Sequence, residues 1–387
     1  MDSRKTVNFD NSAGTYPKPD TVRKSVADAI RTLGGNPGRG GHALSVQAAE
    51  RIYRVRKAAA QFFGAETENV AFVPNCTYAL NMAVKGLMQS GGHIIISGWE
   101  HNSVSRPVYA LTRRNGVKCS VAEIYPDTQR TVEGIEKLIR SDTLCVCCTA
   151  ASNVTGRILP YSEIAELCKR RRIAFVCDCA QAAGVLPVRV GNGISFICVP
   201  GQKGLYGPAG TGLLVSSGEY ALSTIIEGGT GATSGELVQT PQMPEKLESG
   251  TLNTAGLVGL GAGIEFVKSR GMANILRHEA ELCRRFEQGI ERLGAQVYDR
   301  EMPRVPIVAF NMEGMTSEET AAELSRGGFA LRGGMHCAAL AHESLGTGKR
   351  GAVRFSPSVF STQAQVDALL SFMEQRFGKH TREKSRT

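Results

Sequence analysis

No apolar run in this sequence reaches the ~18–20 residues needed to cross a bilayer, so no helical membrane span is expected. The opening residues, Met1-Asp2-Ser3-Arg4-Lys5, contain no apolar signal core, and the expected location is the cytoplasm. The eleven cysteines are scattered and odd in number, and no Cys/His spacing suits a zinc site. A disulfide framework and a metal centre are therefore not expected. Cys145, Cys147, Cys148, Cys177, Cys179 and Cys198 lie in strand-like runs, where cysteine acts as a small buried hydrophobe. The net charge is +9, yet basic residues are not interleaved with aromatics and no reading helix is present, so nucleic acid is not an expected partner. Part of that charge sits in Lys169-Arg170-Arg171-Arg172, which reads as the solvated end of a helix, and part in the tail Lys379 to Arg386, which reads as a frayed terminus. Internal repeats and low-complexity linkers are also lacking.

What is present suits a large α/β protein. The 387 residues suffice for two domains, 42% are hydrophobic and 21% charged, and 44 glycines suit many tight strand–helix turns. Strand-like runs occur at Val70–Val73, His93–Ser97, Val117–Ile124, Leu144–Thr149, Ile173–Cys177 and Ile194–Val199. Helical patterns occupy Thr21–Leu33, Ser45–Phe63, the segment from Pro74 to Leu87, Thr131–Ile139 and Ser162–Arg172. This alternation over residues 68–215 predicts a mostly parallel sheet with helices on both faces. Beyond Gly212 the pattern changes to Gly-rich loops, helices over Leu257–Lys268, Met272–Leu293, Ser317–Arg326 and Gln363–Phe377, and strand-like Val305–Asn311 and Val353–Ser356. The expected division is a large domain over 17–256 and a smaller α+β domain over 257–387, joined by the arm 1–16.

The chemistry concentrates at strand ends. Ile173–Cys177 delivers Asp178, followed by Gln181, and the next apolar run leads to Gly201-Gln202-Lys203-Gly204. An acid and a lysine facing one pocket suit pyridoxal 5'-phosphate, whose aldehyde takes the amine and whose ring nitrogen takes the acid. A strand-end Asp also serves as a helix cap, and a lone Lys in a glycine-rich loop as a surface charge. Thr77 stands where a strand turns into a helix, a natural anion site, though it would equally cap that helix. Thr77, His101, Asn153, Asp178 and Lys203 each follow a strand run, and in a parallel sheet such ends meet at one edge.

Four blocks carry a resemblance: Asp178-x-x-Gln181, Lys203-Gly-Leu-Tyr-Gly-Pro, Glu248-Ser-Gly-Thr-x-Asn-Thr and Arg332-Gly-Gly-x-His-Cys337-Ala. In that order they resemble the class V aminotransferases of pyridoxal phosphate fold type I, and among them the cysteine desulfurases and selenocysteine lyases. The resemblance spans nearly the whole chain, from Asp10-Asn11-Ser12-Ala13 to Arg354-Phe355-Ser356. It implies Lys203 as the Schiff-base lysine, Asp178 on the ring nitrogen, Gln181 on the ring hydroxyl oxygen and His101 stacked on the ring. It implies that Thr77 and the backbone at Cys76 hold the phosphate, with Gln202 beside the lysine. Ala13, Asn153 and Arg354 would bind the substrate, Arg354 as a bidentate clamp for its carboxylate. Family members are homodimers, and Thr230 matches a residue that reaches the other subunit's phosphate.

Two positions depart from the pattern. Pro200 and Gln202 replace the usual hydroxyl residue and histidine before the lysine, so one phosphate donor and one proton carrier are missing. The implied reaction converts L-cysteine to L-alanine and leaves a persulfide on Cys337, whose thiolate His336 and Arg332 would favour. A selenocysteine lyase or another C–S lyase fits the same residues. A non-catalytic sulfur-relay protein of this fold is the reading from another class, and a sulfur or selenium acceptor protein is a further expected partner.

Overall fold

The computed structural model describes residues 6–38 and 40–384, with side chains through residue 378. The opening residues 1–5 and the end of the basic tail, 385–387, lie outside it. The elements run β1 (Val7–Asn8), α1 (Asp20–Thr32), α2 (Ala43–Phe63), β2 (Val70–Val73), α3 (Cys76–Leu87), β3 (His93–Ser97), α4 (Asn102–Arg114), β4 (Lys118–Ala122), α5 (Thr128–Leu138), β5 (Thr143–Thr149), α6 (Tyr161–Arg171), β6 (Ala174–Asp178), β7 (Phe196–Pro200) and β8 (Gly212–Ser216). There follow α7 (Thr254–Arg270), α8 (Met272–Glu291), β9 (Gln296–Val297), β10 (Val308–Asn311), α9 (Ser317–Arg326), β11 (Phe329–Ala330), α10 (Ala339–Ser344), β12 (Val353–Phe355) and α11 (Gln363–Lys384).

Seven strands form the central sheet in the order β2-β8-β7-β6-β5-β3-β4. Neighbours from β7 to β4 are parallel, while β8 is antiparallel to both β2 and β7. Strand side chains alternate between faces, so each strand feeds two cores. Ile95, Val146, Phe175 and Ile197 pack with α2, α6 and α7 on one face. Ile94, Cys147, Val176 and Cys198 pack with α3 and α4 on the other. All six strand cysteines noted above are buried, as expected.

Two elements of the sheet layer were not anticipated. Pro107 lies inside α4 and reads in sequence as a helix breaker. It sits early enough that only the bond its N–H would make to Ser103 is lost. Strand β8 is a short run next to glycine-rich loops, too brief to show a period. The basic run 169–172 is the exposed end of α6, and Arg172 closes that helix in the left-handed conformation at φ 54°.

The smaller layer holds the antiparallel sheet β12-β10-β9 and packs it on α8 and α11 through Phe286, Phe310 and Phe355. The amino-terminal segment belongs to it: β1 pairs with β11, and Asp10 bridges Ser356. That pairing carries Asp10 to Thr15 across the C-terminal edge of the large sheet. Among the described residues, no helix is long and apolar enough to cross a membrane, and no His/Cys/Asp/Glu group has the arrangement of a metal site.

Candidate active site

The strand-end residues do meet at one sheet edge. Asp178, the last residue of β6, is 2% exposed, and both hydrogen bonds to its carboxylate fall on Oδ1. The Ala180 N–H donates at 2.8 Å and the Cys76 thiol at 3.5 Å. Oδ2 is left for a further donor. Burial raises the proton affinity of this carboxyl, and the Ala180 N–H and the Lys203 amine oppose that rise. Lys203 leaves the β7 end on a tight loop closed by Tyr206 N–H to the Lys203 carbonyl, 2.8 Å. Burial, reinforced by Arg354, lowers the lysine pKa, which favours the neutral nucleophilic amine.

Asn75 caps α3 by accepting the Tyr78 N–H. The N–H groups of Cys76 and Thr77, in the first turn, have no acceptor within the helix and face the same edge. Thr77 Oγ1 lies 2.8 Å from Ser103 Oγ. His101 caps α4, its Nδ1 accepting the Ser103 N–H at 3.0 Å. Burial pushes the imidazole pKa down to about 4, and Lys203, Arg332, Arg354 and Arg106 push the same way. Gln181 lines a cleft beside Lys203 and donates its amide to the Ser12 carbonyl at 3.1 Å.

Arg354 on β12 is 2% exposed. Nη1 donates to the Asn153 carbonyl at 2.8 Å, Nη2 pairs with Asp10 at 2.6 Å, and Nε is buried with no partner. Asn153 Nδ2 in turn donates to the His336 carbonyl at 2.8 Å. The exposed Cys337 lies next, its carbonyl accepting the Asn102 N–H at 2.7 Å. Two ends of the large sheet thus pin the loop that presents the thiol. Gly333 is required there, because a Cβ would stand 2.2 Å from the Ser317 carbonyl oxygen. His336 and Cys337 both adopt positive φ, 47° and 56°.

One expectation fails at this loop. His336 does not supply a positive charge to Cys337. It is 2% exposed, bonds the Ala352 carbonyl through Nε2 at 2.9 Å, and burial pushes its pKa down to about 2. Arg332 instead approaches the thiol, with Nη2 3.9 Å from Sγ.

Other sequence candidates are placed as follows. Gln202 flanks the lysine, with a buried Oε1 that finds no partner, while its carbonyl receives Thr15 and the Lys18 amine. Ala13 is exposed on the same turn as Asp10. Thr230 is not brought to Thr77 or Lys203. It sits near Gly38 and, among the described residues, bonds Ala232. Pro200 ends β7 opposite Gly212 and offers no hydroxyl. Sequence reasoning missed Asp10 as the partner of Arg354, Ser103 beside His101, and Glu100. Glu100 is fully buried and takes the Ser97 hydroxyl and the Thr149 N–H on Oε1. Burial pushes its pKa up to about 8, which favours the neutral form. Only its position before His101 could have drawn attention to it.

The model of the class-V aminotransferase family matches residues 7–369, and the chain belongs to that family. Within it, the chain is 29% identical over 384 residues to a probable cysteine desulfurase of Pyrococcus abyssi, covering 96% of this chain and 94% of the relative. It is 30% identical over 379 residues to a probable cysteine desulfurase of Halalkalibacterium halodurans, covering 94% and 92%. Among solved structures it is similar to a cysteine desulfurase from Thermococcus onnurineus NA1, with a TM-score of 0.86, 28% identity and coverage of 97% and 96%. The cysteine desulfurase CsdA of Escherichia coli gives 0.85 at 25% identity, covering 96% and 94%.

Proposed function

We propose that this protein is a pyridoxal 5'-phosphate-dependent cysteine desulfurase with Cys337 as the sulfur acceptor. The observation that carries the reading is the pinned loop, which holds an exposed thiol 3.9 Å from Arg332 and ties it to Asn153 and to the His101 helix. A site for transamination alone has no use for that thiol.

The residues fit the cofactor. Asp178 offers a free carboxylate oxygen, Lys203 an amine of lowered pKa, and the α3 N-terminus an anion site with Thr77. Once bound there, the cofactor would supply an electron sink for charge developing on the substrate Cα. Arg354 and Asn153 would hold the substrate carboxylate, with the unpartnered Nε as the open donor. Lys203 Nζ would take the Cα proton. Cys337 Sγ would then attack the substrate sulfur: the S–S bond forms, the Cβ–S bond breaks with its electrons left on carbon, and protonation of that carbon yields alanine.

A homodimer completes the reading, with Thr230 serving the partner's phosphate. Thr230 is remote from this chain's own site, and the apolar Leu237 and Val238 after it are exposed. The missing hydroxyl at Pro200 leaves Gln202 and Thr77 as the side chains at the phosphate.

The test is a spectrum and an alanine assay on the purified protein with L-cysteine and with L-selenocysteine. A band near ~420 nm and alanine from cysteine support the reading. Turnover of selenocysteine alone makes the protein a selenocysteine lyase. Absence of the band with added cofactor defeats the enzymatic reading and leaves a sulfur-relay protein of this fold.

A further inference from the structure

The hydrogen atoms around His101 can be assigned from donor and acceptor chemistry alone. The Ser103 backbone N–H donates to Nδ1 at 3.0 Å, and an N–H group never accepts. Nδ1 therefore carries a lone pair and no proton. Ser103 Oγ lies 2.8 Å from the same nitrogen, so its hydroxyl must donate there too. That commits the Ser103 proton. Thr77 Oγ1, 2.8 Å from Ser103 Oγ, is then the donor in its own contact with the serine. The proton order is Thr77 to Ser103 to His101, and the one hydrogen of the neutral ring sits on Nε2.

The surroundings act in the same direction. His101 is faced by Arg106 on its own helix, Lys203 beyond β7, Arg332 at the base of the thiol loop and Arg354 on β12. All four are basic groups, and each disfavours a second proton on the ring. Burial pushes the pKa of Glu100, the buried acid after β3, up to about 8, which disfavours a counter-charge there. Among the described residues, no carboxylate is in hydrogen-bond contact with either ring nitrogen of His101.

We infer that Ser103 is a positioning residue that locks His101 as the neutral Nε2–H tautomer, making the imidazole a fixed hydrogen-bond donor over the site and not a base. Backbone and hydroxyl of one residue together occupy Nδ1. The hydroxyl is in turn oriented by Thr77, so the anion site at α3 and the imidazole share one hydrogen-bond chain. A phosphate group that drew the Thr77 hydroxyl toward itself would compete with Ser103 for that proton, which couples loading of the anion site to His101. The tautomer follows from the protein alone, while its part in desulfuration rests on the proposed function.

The experiment is nitrogen NMR of protein labelled with 15N-histidine, with and without pyridoxal 5'-phosphate, using His101→Asn to assign the signal. The expected result for the cofactor-free chain is an Nε2–H ring from pH 8 down to about pH 5. In Ser103→Ala the backbone donor remains and the hydroxyl is lost. The His101 midpoint should then rise by about one unit, and Ser103→Thr should restore it. An Nδ1–H ring or an imidazolium at pH 7 in the wild-type chain overturns the assignment, with no variant needed. A Ser103→Ala titration that overlays the wild type overturns the role of the hydroxyl. These outcomes are separate from failure of the cofactor reading, because they are read on the cofactor-free protein. If cofactor binds and alanine forms, kcat should show no limb from His101 above pH 5, and in Ser103→Ala its acid limb should move up by about one unit.

Discussion

Arg354 and Asp10 form a buried ion pair, Nη2 to Oδ1 at 2.6 Å, that joins the amino-terminal arm to β12. The arginine is nearly inaccessible and the aspartate a quarter exposed, so the pair holds a buried charge that would otherwise be costly. Asp10→Asn should lower the unfolding free energy by about 2 kcal/mol, since a buried guanidinium loses its counter-charge. Urea denaturation of the cofactor-free protein reads this, and an unchanged midpoint would show that the arm contributes no electrostatic support.

The same arginine is the proposed carboxylate ligand. Arg354→Ala should raise KM for L-cysteine by roughly 30-fold or more, because a desolvated, charge-assisted contact is lost. Arg354→Lys should recover little, since an ammonium cannot reproduce the fork that also holds Asn153 and Asp10. A normal KM in Arg354→Ala would remove it from the substrate site.

Cys337→Ser should abolish alanine formation while the ~420 nm band persists, because the thiol loop lies outside the Lys203–Asp178 centre. Lys203→Ala should remove both. Arg332→Ala should slow sulfur transfer by roughly tenfold with cofactor affinity unchanged, as the cation nearest the thiol is lost. His336→Gln should leave the pH profile in place, since that ring is neutral throughout the working range.

Stability should fall with rising pH in a window set by Glu279. This carboxyl on α8 is buried, accepts the Tyr206 hydroxyl at 3.1 Å, and has its pKa pushed up to about 8 by desolvation. A carboxyl with a raised folded pKa binds more protons folded than unfolded. Its contribution is complete below the unfolded value near 4.5 and is lost as pH rises toward 8. Glu279→Gln should flatten this decline, by of order 2–4 kcal/mol between pH 5 and 8. Because Tyr206 closes the lysine loop and its hydroxyl also takes the Val359 N–H, cofactor retention should follow the same window.

The strand–helix order of the sheet layer was legible because its strands are short apolar runs bounded by glycine and polar turns. Once the strands are parallel, the convergence of Thr77, His101, Asn153, Asp178 and Lys203 is a matter of connectivity. The motif blocks were legible for the same local reason: glycines and prolines constrain the backbone where they stand, as at Gly333. Helix α4 was hidden by Pro107, and β8 by its brevity.

What the sequence alone determined is the list of chemical groups and the edge at which they gather, since both follow from chain order and backbone geometry. What only the tertiary structure decided is their protonation and pairing. His336 stands next to Cys337 in the chain, yet the fold buries it against Ala352 and leaves it uncharged, while Arg332 reaches the thiol. Asp10 and Arg354 are separated by nearly the whole chain and meet only because β1 pairs with β11. Charge depends on burial and on neighbours through space, and neither quantity is written in the order of residues.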